Sequence, residues 1–190
     1  MKCLPDFLTL SRAVLAPALL WSAFCWEHRL GVLFLTLYVI GFLTDVFDGR
    51  LARRLGTVNP WSAGLDSQCD LIFHGSALAC IVAFRPDVCA FYQYLIMLAV
   101  SAQVVHWSAG FFKFGRLVGY HTRWTKIWSV VLFVAVVEVS ISTTSVLMLP
   151  ALVLAIASSL EETAITYVLR EYRTDVSSLR AALRLSLLRS

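Results

Sequence analysis

Four aspartates in the first half of the chain have spacings that could build a metal site. Asp45 and Asp48 are three residues apart, and Asp66 and Asp70 are four residues apart. On a helix, either spacing brings both side chains to one face. Four carboxylates at short range repel one another unless cations lie between them. All-oxygen ligands suit hard divalent ions such as Mg²⁺, and two such ions would neutralise the four charges.

The residues between the two acidic pairs are suited to a substrate that carries phosphate. Gly49 has no side chain, and Ala52 lies one turn after Asp48, so a bulky group could approach this helix surface. The planar guanidinium of Arg53 can bind a phosphate through two parallel hydrogen bonds. Two divalent ions can clamp a diphosphate and neutralise the charge that develops on a leaving oxygen. This pattern favours phosphate chemistry over ordinary charges that cap helix ends.

The surrounding sequence predicts a membrane protein. The chain is 59% hydrophobic, which is more than most soluble domains contain, and several apolar stretches approach the roughly 20 residues that cross a bilayer. We expect an all-α fold with one membrane domain over residues 1–190 and six transmembrane helices within 13–169. The expected spans are 13–26, 30–44, 63–84, 88–112, 127–141 and 146–169.

Amphipathic segments are expected at both ends of the chain. Residues 1–12 mix apolar and charged positions and could form an interfacial segment. The basic tail, residues 170–190, contains Leu179, Leu183 and Leu187 at four-residue intervals. This tail could be an interfacial helix on anionic lipid or a solvated extension, and the sequence leaves both interpretations open.

The positions of Lys and Arg predict the orientation of the spans. If the amino terminus is cytoplasmic, every Lys and Arg except Arg29 and Arg85 falls on the cytoplasmic side. Such a bias favours an even number of spans with both termini inside. The aspartates and the basic loop 113–126 then share the cytoplasmic face. The net charge of +4 is explained by topology and lipid contact, and no nucleic-acid-binding module is visible.

The acidic stretch resembles the signature of the CDP-alcohol phosphatidyltransferase family, D-x2-D-G-x2-A-R-x8-G-x3-D-x3-D. The chain supplies the matching residues at Asp45, Asp48, Gly49, Ala52, Arg53, Asp66 and Asp70. Ser62, a small residue, replaces the second glycine of the pattern. The opening PDFLTLSR is similar to the family's Pro-Asn-x-Leu-Thr-x-x-Arg, with Asp6 in place of the asparagine. The resemblance is to class I members of the phosphatidylglycerophosphate-synthase type.

The resemblance implies a homodimeric six-helix enzyme of phospholipid biosynthesis in the bacterial inner membrane, with its active site open to the cytoplasm. The four aspartates would hold two Mg²⁺ or Mn²⁺ ions. Asp70 would also be the general base that takes a proton from the acceptor alcohol. The phosphatidyl group of CDP-diacylglycerol would be transferred, and CMP would leave. The donor would be bound by Asp48, Gly49, Ala52, Arg53 and Ser62.

The basic loop 113–126 bears on the identity of the acceptor. A phosphorylated acceptor needs cationic side chains, and Arg116 and Lys126 are the candidates, although topology alone could explain either charge. We expect glycerol 3-phosphate, mainly because it is a common acceptor in the family. An inositol phosphate or serine remains an alternative.

Two alternative functions without transferase activity also remain open. A metal-ion transporter would place acidic residues near the bilayer midplane, whereas these lie at one face beside Arg50, Arg53 and Arg54. A catalytically inactive structural homologue is compatible with the departures at Asp6 and Ser62.

Five other ionisable residues fall within the predicted spans. We expect the two histidines to be core or packing residues, and the glutamates to pair inside the bundle or line a cavity. These residues are His74, His106, Glu138, Glu161 and Glu162.

Overall fold

The computed structural model describes residues 4–55, 60–120, 122–173 and 176–187, and their side chains except at 4–8, 48–55, 60–68 and 71. This part of the chain is all helical, with 82% helix and no strand. Its α-helices are α1 Leu4–Trp21, α2 Val32–Leu55, α3 Pro60–Phe84, α4 Pro86–Phe114, α5 Arg123–Ile141, α6 Met148–Val168 and α7 Leu179–Leu187. A π-helical turn over Ser22–Trp26 extends α1.

Four of the described helical stretches are long and apolar enough to cross a membrane: Thr9–Trp26, Pro86–Phe114, Arg123–Ile141 and Met148–Val168. Two shorter apolar stretches, Val32–Phe47 and Ile72–Phe84, occur where the second and third spans are predicted. Both stretches end where the description of the side chains ends, at residue 48 in α2 and at residue 71 in α3. The all-α membrane fold is confirmed, and the number of six spans stays a prediction.

The outer surfaces of these helices are apolar. The side chains of Val32, Phe91, Tyr94, Phe112 and Ile141 are each at least 70% exposed. Large apolar side chains in such numbers are unusual on a surface that faces water, and they are the surface that lipid requires. The chain is therefore an integral membrane protein.

Two helix starts differ from the predicted boundaries by a full turn or more. Helix α1 begins at Leu4, so from that residue on the expected interfacial segment 1–12 and the first span form one helix. Helix α5 begins at Arg123, one turn before the predicted start of the fifth span. Helix α2 continues beyond its apolar part to Leu55, as expected.

The contacts of the chain divide it into two compact units, residues 1–89 with 139–143 and residues 90–138 with 144–190. In the first unit, α1 packs against both α2 and α3. Its core contains three nearly parallel rings, with centroids 6.2 Å apart for Phe34 and Tyr38 and 5.6 Å apart for Tyr38 and Phe73. This stack joins α2 to α3 through a large buried area.

Arg85, between α3 and α4, fastens the end of α5 in the first unit. Its guanidinium donates hydrogen bonds to the carbonyl oxygens of Val139 at 2.7 Å, Ser142 at 2.8 Å and Thr143 at 3.0 Å. The last carbonyls of a helix lack partners within the helix, and Val139 is in the last turn of α5. Ser142 and Thr143 directly follow α5, so Arg85 holds the end of the helix together with the turn after it. Hydrogen bonds from Arg85 to the carboxylate of Asp87 raise the pKa of Arg85, which keeps the cap charged.

In the second unit, the loop after α4 and the end of α6 share a core with α7. Its buried side chains are Val118, Tyr120, Ile165, Leu169, Val176 and Ala182. At the other end of α6, Glu138 accepts the backbone N–H groups of Val146 at 3.1 Å and Leu147 at 2.8 Å. Glu138 thus caps the start of α6, where N–H groups lack helical partners.

We predict that Arg85→Gln lowers the free energy of unfolding by about 2 kcal/mol, because three carbonyls lose hydrogen bonds from a charged donor. Thermal or denaturant unfolding of the purified protein in detergent would measure this. Arg29, an exposed arginine between α1 and α2, provides the matched control. Arg29→Gln is expected to change the free energy of unfolding by less than about 0.5 kcal/mol. Equal stabilities of the two variants would contradict the capping role of Arg85.

Candidate active site

Arg12 brings together one aspartate from each predicted acidic pair. Its Nη1 lies 3.0 Å from Oδ1 of Asp45 on α2, and the same nitrogen forms an ion pair with Asp70 on α3. The Arg12 side chain is fully buried, whereas those of Asp45 and Asp70 remain 30% and 32% exposed. The two carboxylates therefore share one cation inside the protein and keep an accessible side.

The remaining predicted site residues lie on the same two helices. The helical backbone places Asp48 one turn after Asp45, and Asp66 one turn before Asp70, which is the register that the prediction assumes. The side chains of Asp48 and Asp66 lie outside the described residues. The same holds for the predicted donor-binding side chains of Gly49, Ala52, Arg53 and Ser62.

The part of the site with described side chains is compatible with a divalent cation. Carboxylate oxygens from α2 and α3 already converge on a positive group, the guanidinium of Arg12. Carboxylates that approach one cation from two helices are the donor set that Mg²⁺ and Mn²⁺ accept. Among residues with described side chains, no group of three or more His, Cys, Asp or Glu could hold a metal.

Packing next to the aspartates fixes the register of α2 against α3. Gly41 lies one turn before Asp45, and a Cβ at this position would collide with the ring of Phe73, which follows Asp70 by three residues. The absence of a side chain at Gly41 thus permits the close approach of the two helices. His74 packs the edge of its ring against Phe73, with centroids 5.5 Å apart. His74 therefore occupies the expected packing position, beside the acidic site.

The two candidate acceptor-binding residues lie in the second unit, and both are exposed. The Arg116 guanidinium lies 5.8 Å from the centre of the Tyr172 ring, a distance typical of a cation–π contact. Lys126 is in the first turn of α5. Lys113, by contrast, donates a hydrogen bond to the carbonyl of Tyr167 at 2.7 Å. Lys113 is also exposed, and His121 of the same loop lies outside the described residues.

A buried polar cluster holds this loop against the helices. Nε2 of His106 lies 3.3 Å from Oε2 of Glu162 and 3.1 Å from the carbonyl oxygen of Val118. The hydroxyl of Thr125 donates to Oε1 of Glu162 at 2.8 Å. The expected pairing of Glu162 inside the bundle is therefore observed, and it joins α4, the loop, α5 and α6.

A second hydrogen bond anchors the same loop. The hydroxyls of Tyr120 and Thr166 are 3.1 Å apart, and burial raises the pKa of Tyr120, so its hydroxyl stays neutral. Gly110 on α4 faces Val118, whose side chain would collide with a Cβ at Gly110. The backbone that carries Arg116 is consequently held from both sides.

Sequence reasoning did not place Arg12 in the site, although Arg12 closes the PDFLTLSR opening that matches the family pattern. That position in the pattern was the available signal. Its partners are 33 and 58 residues away in sequence, so no local periodicity connects them.

The comparison with known proteins supports one family. The family model described as CDP-alcohol phosphatidyltransferase matches residues 2–167. The matched region contains Arg12, the four aspartates and the basic loop, and it ends before α7. No curated protein and no solved structure matches the chain.

We predict that Arg12→Gln lowers the free energy of unfolding by about 3 kcal/mol, because two partly buried carboxylates lose their shared cation. A double-mutant cycle with Asp45→Asn tests the pairing itself. The double variant should cost less than the sum of the two single changes, since a neutral amide in place of the Asp45 carboxylate no longer needs the guanidinium. Additive costs in unfolding experiments would show that the two side chains do not interact.

Proposed function

The chain belongs to the CDP-alcohol phosphatidyltransferase family, and we propose that it transfers the phosphatidyl group of CDP-diacylglycerol to glycerol 3-phosphate with release of CMP. Membership of the family makes the protein a membrane-embedded phosphatidyl transferase of phospholipid synthesis. The convergence of Asp45 and Asp70 on Arg12 is the observation that carries the proposal, because it assembles the two acidic helices at one place.

The four aspartates, Asp45, Asp48, Asp66 and Asp70, are the proposed ligands of two Mg²⁺ or Mn²⁺ ions. When bound, the ions would neutralise charge on the diphosphate and on the departing phosphate. Arg12 acts as a positioning residue, since its buried guanidinium orients one carboxylate on each helix. About a third of the surface of each of these two side chains, Asp45 and Asp70, is exposed, which leaves oxygen lone pairs available to a ligand.

The donor would lie along one face of α2. Asp45, Asp48, Gly49 and Ala52 follow one another at intervals of three, one and three residues, so helical geometry aligns them on the same side. Gly49 and Ala52 would leave room for the cytidine diphosphate group, and Arg53 would contact its phosphates. Ser62, in the first turn of α3, completes the proposed donor contacts.

Asp70 is the proposed general base. Its carboxylate takes the proton of the acceptor hydroxyl as that oxygen attacks the phosphorus that carries diacylglycerol. A new phosphorus–oxygen bond forms, the bond between this phosphorus and the bridging oxygen of CMP breaks, and CMP leaves with the electron pair. The Arg12 pairing supports this role because it fixes the position of the carboxylate, and a general base must first lie within hydrogen-bond reach of the proton that it accepts.

Arg116 and Lys126 support a phosphorylated acceptor, because both present accessible positive charge in the basic loop. Glycerol 3-phosphate and an inositol phosphate share this requirement, whereas serine does not. We extend the proposal to a homodimer in the bacterial inner membrane with both termini and the aspartates facing the cytoplasm. The distribution of Lys and Arg supports the orientation, and the family resemblance supports the dimer.

We predict that the purified protein in detergent with Mg²⁺ releases CMP from CDP-diacylglycerol when glycerol 3-phosphate is added. Asp70→Asn should lower the rate by roughly 10²–10⁴-fold, since the general base is lost. Asp87→Asn removes an exposed carboxylate outside the site and should keep the wild-type rate. Chelation of divalent ions should abolish release, and Mn²⁺ should restore it.

The same assay with glycerol 3-phosphate, an inositol phosphate or serine decides between the candidate acceptors. Release with an inositol phosphate or serine alone would keep the transferase chemistry and correct the acceptor. If CDP-diacylglycerol binds but no acceptor yields CMP, the transferase proposal fails and an inactive homologue is the better interpretation.

We predict that Arg116→Gln and Lys126→Gln raise KM for glycerol 3-phosphate by roughly tenfold each, since each removes a charge–phosphate contact. KM for CDP-diacylglycerol should change little. Arg123→Gln removes an exposed charge from the first turn of α5 and is the matched control. Equal effects of all three substitutions would indicate general electrostatic attraction rather than a specific acceptor site.

A further inference from the structure

Helix α7 is fixed to the second unit by its inner face. Ala182 is fully buried, and Leu179 and Leu185 pack against the same core as Ile165 and Leu169. The backbone N–H of Leu179 also donates to Oε1 of Glu161 on α6 at 3.2 Å. The basic tail is therefore a docked helix over Leu179–Leu187 rather than a solvated extension.

The outer face of α7 carries a stripe of alternating arginine and leucine. Arg180, Leu183, Arg184 and Leu187 are three, one and three residues apart, so they share one side of the helix. All four are exposed, and Leu187 is 72% exposed. The leucine repeat seen in the sequence is thus divided, because Leu179 turns towards the core while Leu183 and Leu187 face outwards.

The attachment of α7 places this stripe near the end of a membrane span. Helix α6, Met148–Val168, is one of the candidate spans, and Glu161 lies seven residues before its end. A rise of 1.5 Å per residue puts the start of α7 within about 10 Å of that end. The end of a span is where headgroups meet acyl chains, and amphipathic helices bind at that boundary.

A neighbouring cleft adds further positive charge. It has a volume of about 200 Å³ and lies between the segment after α6 and the end of α7. Arg170 and Arg173 line it together with one acidic residue, Glu171. Two arginines against one glutamate give the lining of the cleft a net positive charge, and with Arg180 and Arg184 on the stripe this favours an anionic partner over a neutral one.

We propose that the outer face of α7 binds the anionic phospholipid surface of the bilayer. Arg180 and Arg184 contact lipid phosphates, and Leu183 and Leu187 enter the boundary between headgroups and acyl chains. Charge complementarity and attachment to the end of a span both favour lipid over another protein. Helix α7 lies beyond the region matched by the family, so this contact is separate from the proposed transfer site.

Hydrogen exchange of the full-length protein in lipid nanodiscs tests the proposal. One disc contains only phosphatidylcholine, and the other contains phosphatidylcholine and phosphatidylglycerol in equal parts. We expect the amides of Leu179–Leu187 to exchange roughly tenfold more slowly in the anionic disc, and added salt to reduce this difference.

Variants separate lipid binding from a change in the fold. Arg180→Gln with Arg184→Gln should remove the difference between the discs while exchange in phosphatidylcholine stays at the wild-type rate, because both side chains are exposed. Arg29→Gln, far from α7 in the sequence, should keep the difference. Equal exchange in both discs, or a difference that survives in the double variant, would overturn the proposal. Slowing that depends on protein concentration in both discs would assign the face to a second copy and would also overturn it.

Discussion

The buried guanidinium of Arg12 constrains how three helices of the first unit pack. A buried charge is costly unless it is paired, and here the pairing requires Asp45 on α2 and Asp70 on α3. The arrangement of three helices is thereby tied to one charge. A well-packed apolar core could be equally stable, so the ion pair is better explained by the need to hold two carboxylates together than by stability.

The second unit also contains a buried carboxyl group that depends on polar partners. Glu162 is nearly buried within an apolar helix, and it is satisfied by His106 and Thr125. Because His106 also contacts the carbonyl of Val118, the same cluster holds the loop that carries Arg116. In both units, a buried polar group that needs polar partners determines where proposed site residues lie. Arg12 positions Asp45 and Asp70, and Glu162 helps to position the loop with Arg116.

The sequence predicted those features that depend on local spacing. The apolar lengths of α4, α5 and α6 follow directly from composition, and the register of Asp45 with Asp48 follows from helix geometry. The partner of Arg12 could not be predicted, because the pairing joins residues far apart in sequence and depends on how α1 packs. The inward turn of Leu179 was hidden for the same reason: a leucine repeat identifies a stripe but not the surface that covers part of it.

The positions of Asp45 and Asp70 along their helices fit the proposed chemistry. Asp45 follows the mainly apolar residues 32–44 of α2, and Asp70 precedes the mainly apolar residues 71–84 of α3. Carboxylates are costly within hydrocarbon, so both positions belong at its boundary. A lipid donor with a diphosphate headgroup presents its phosphates at that boundary while its acyl chains stay in the bilayer. Aspartates nearer the middle of α2 and α3 would lie away from the depth at which this donor offers its reacting phosphorus.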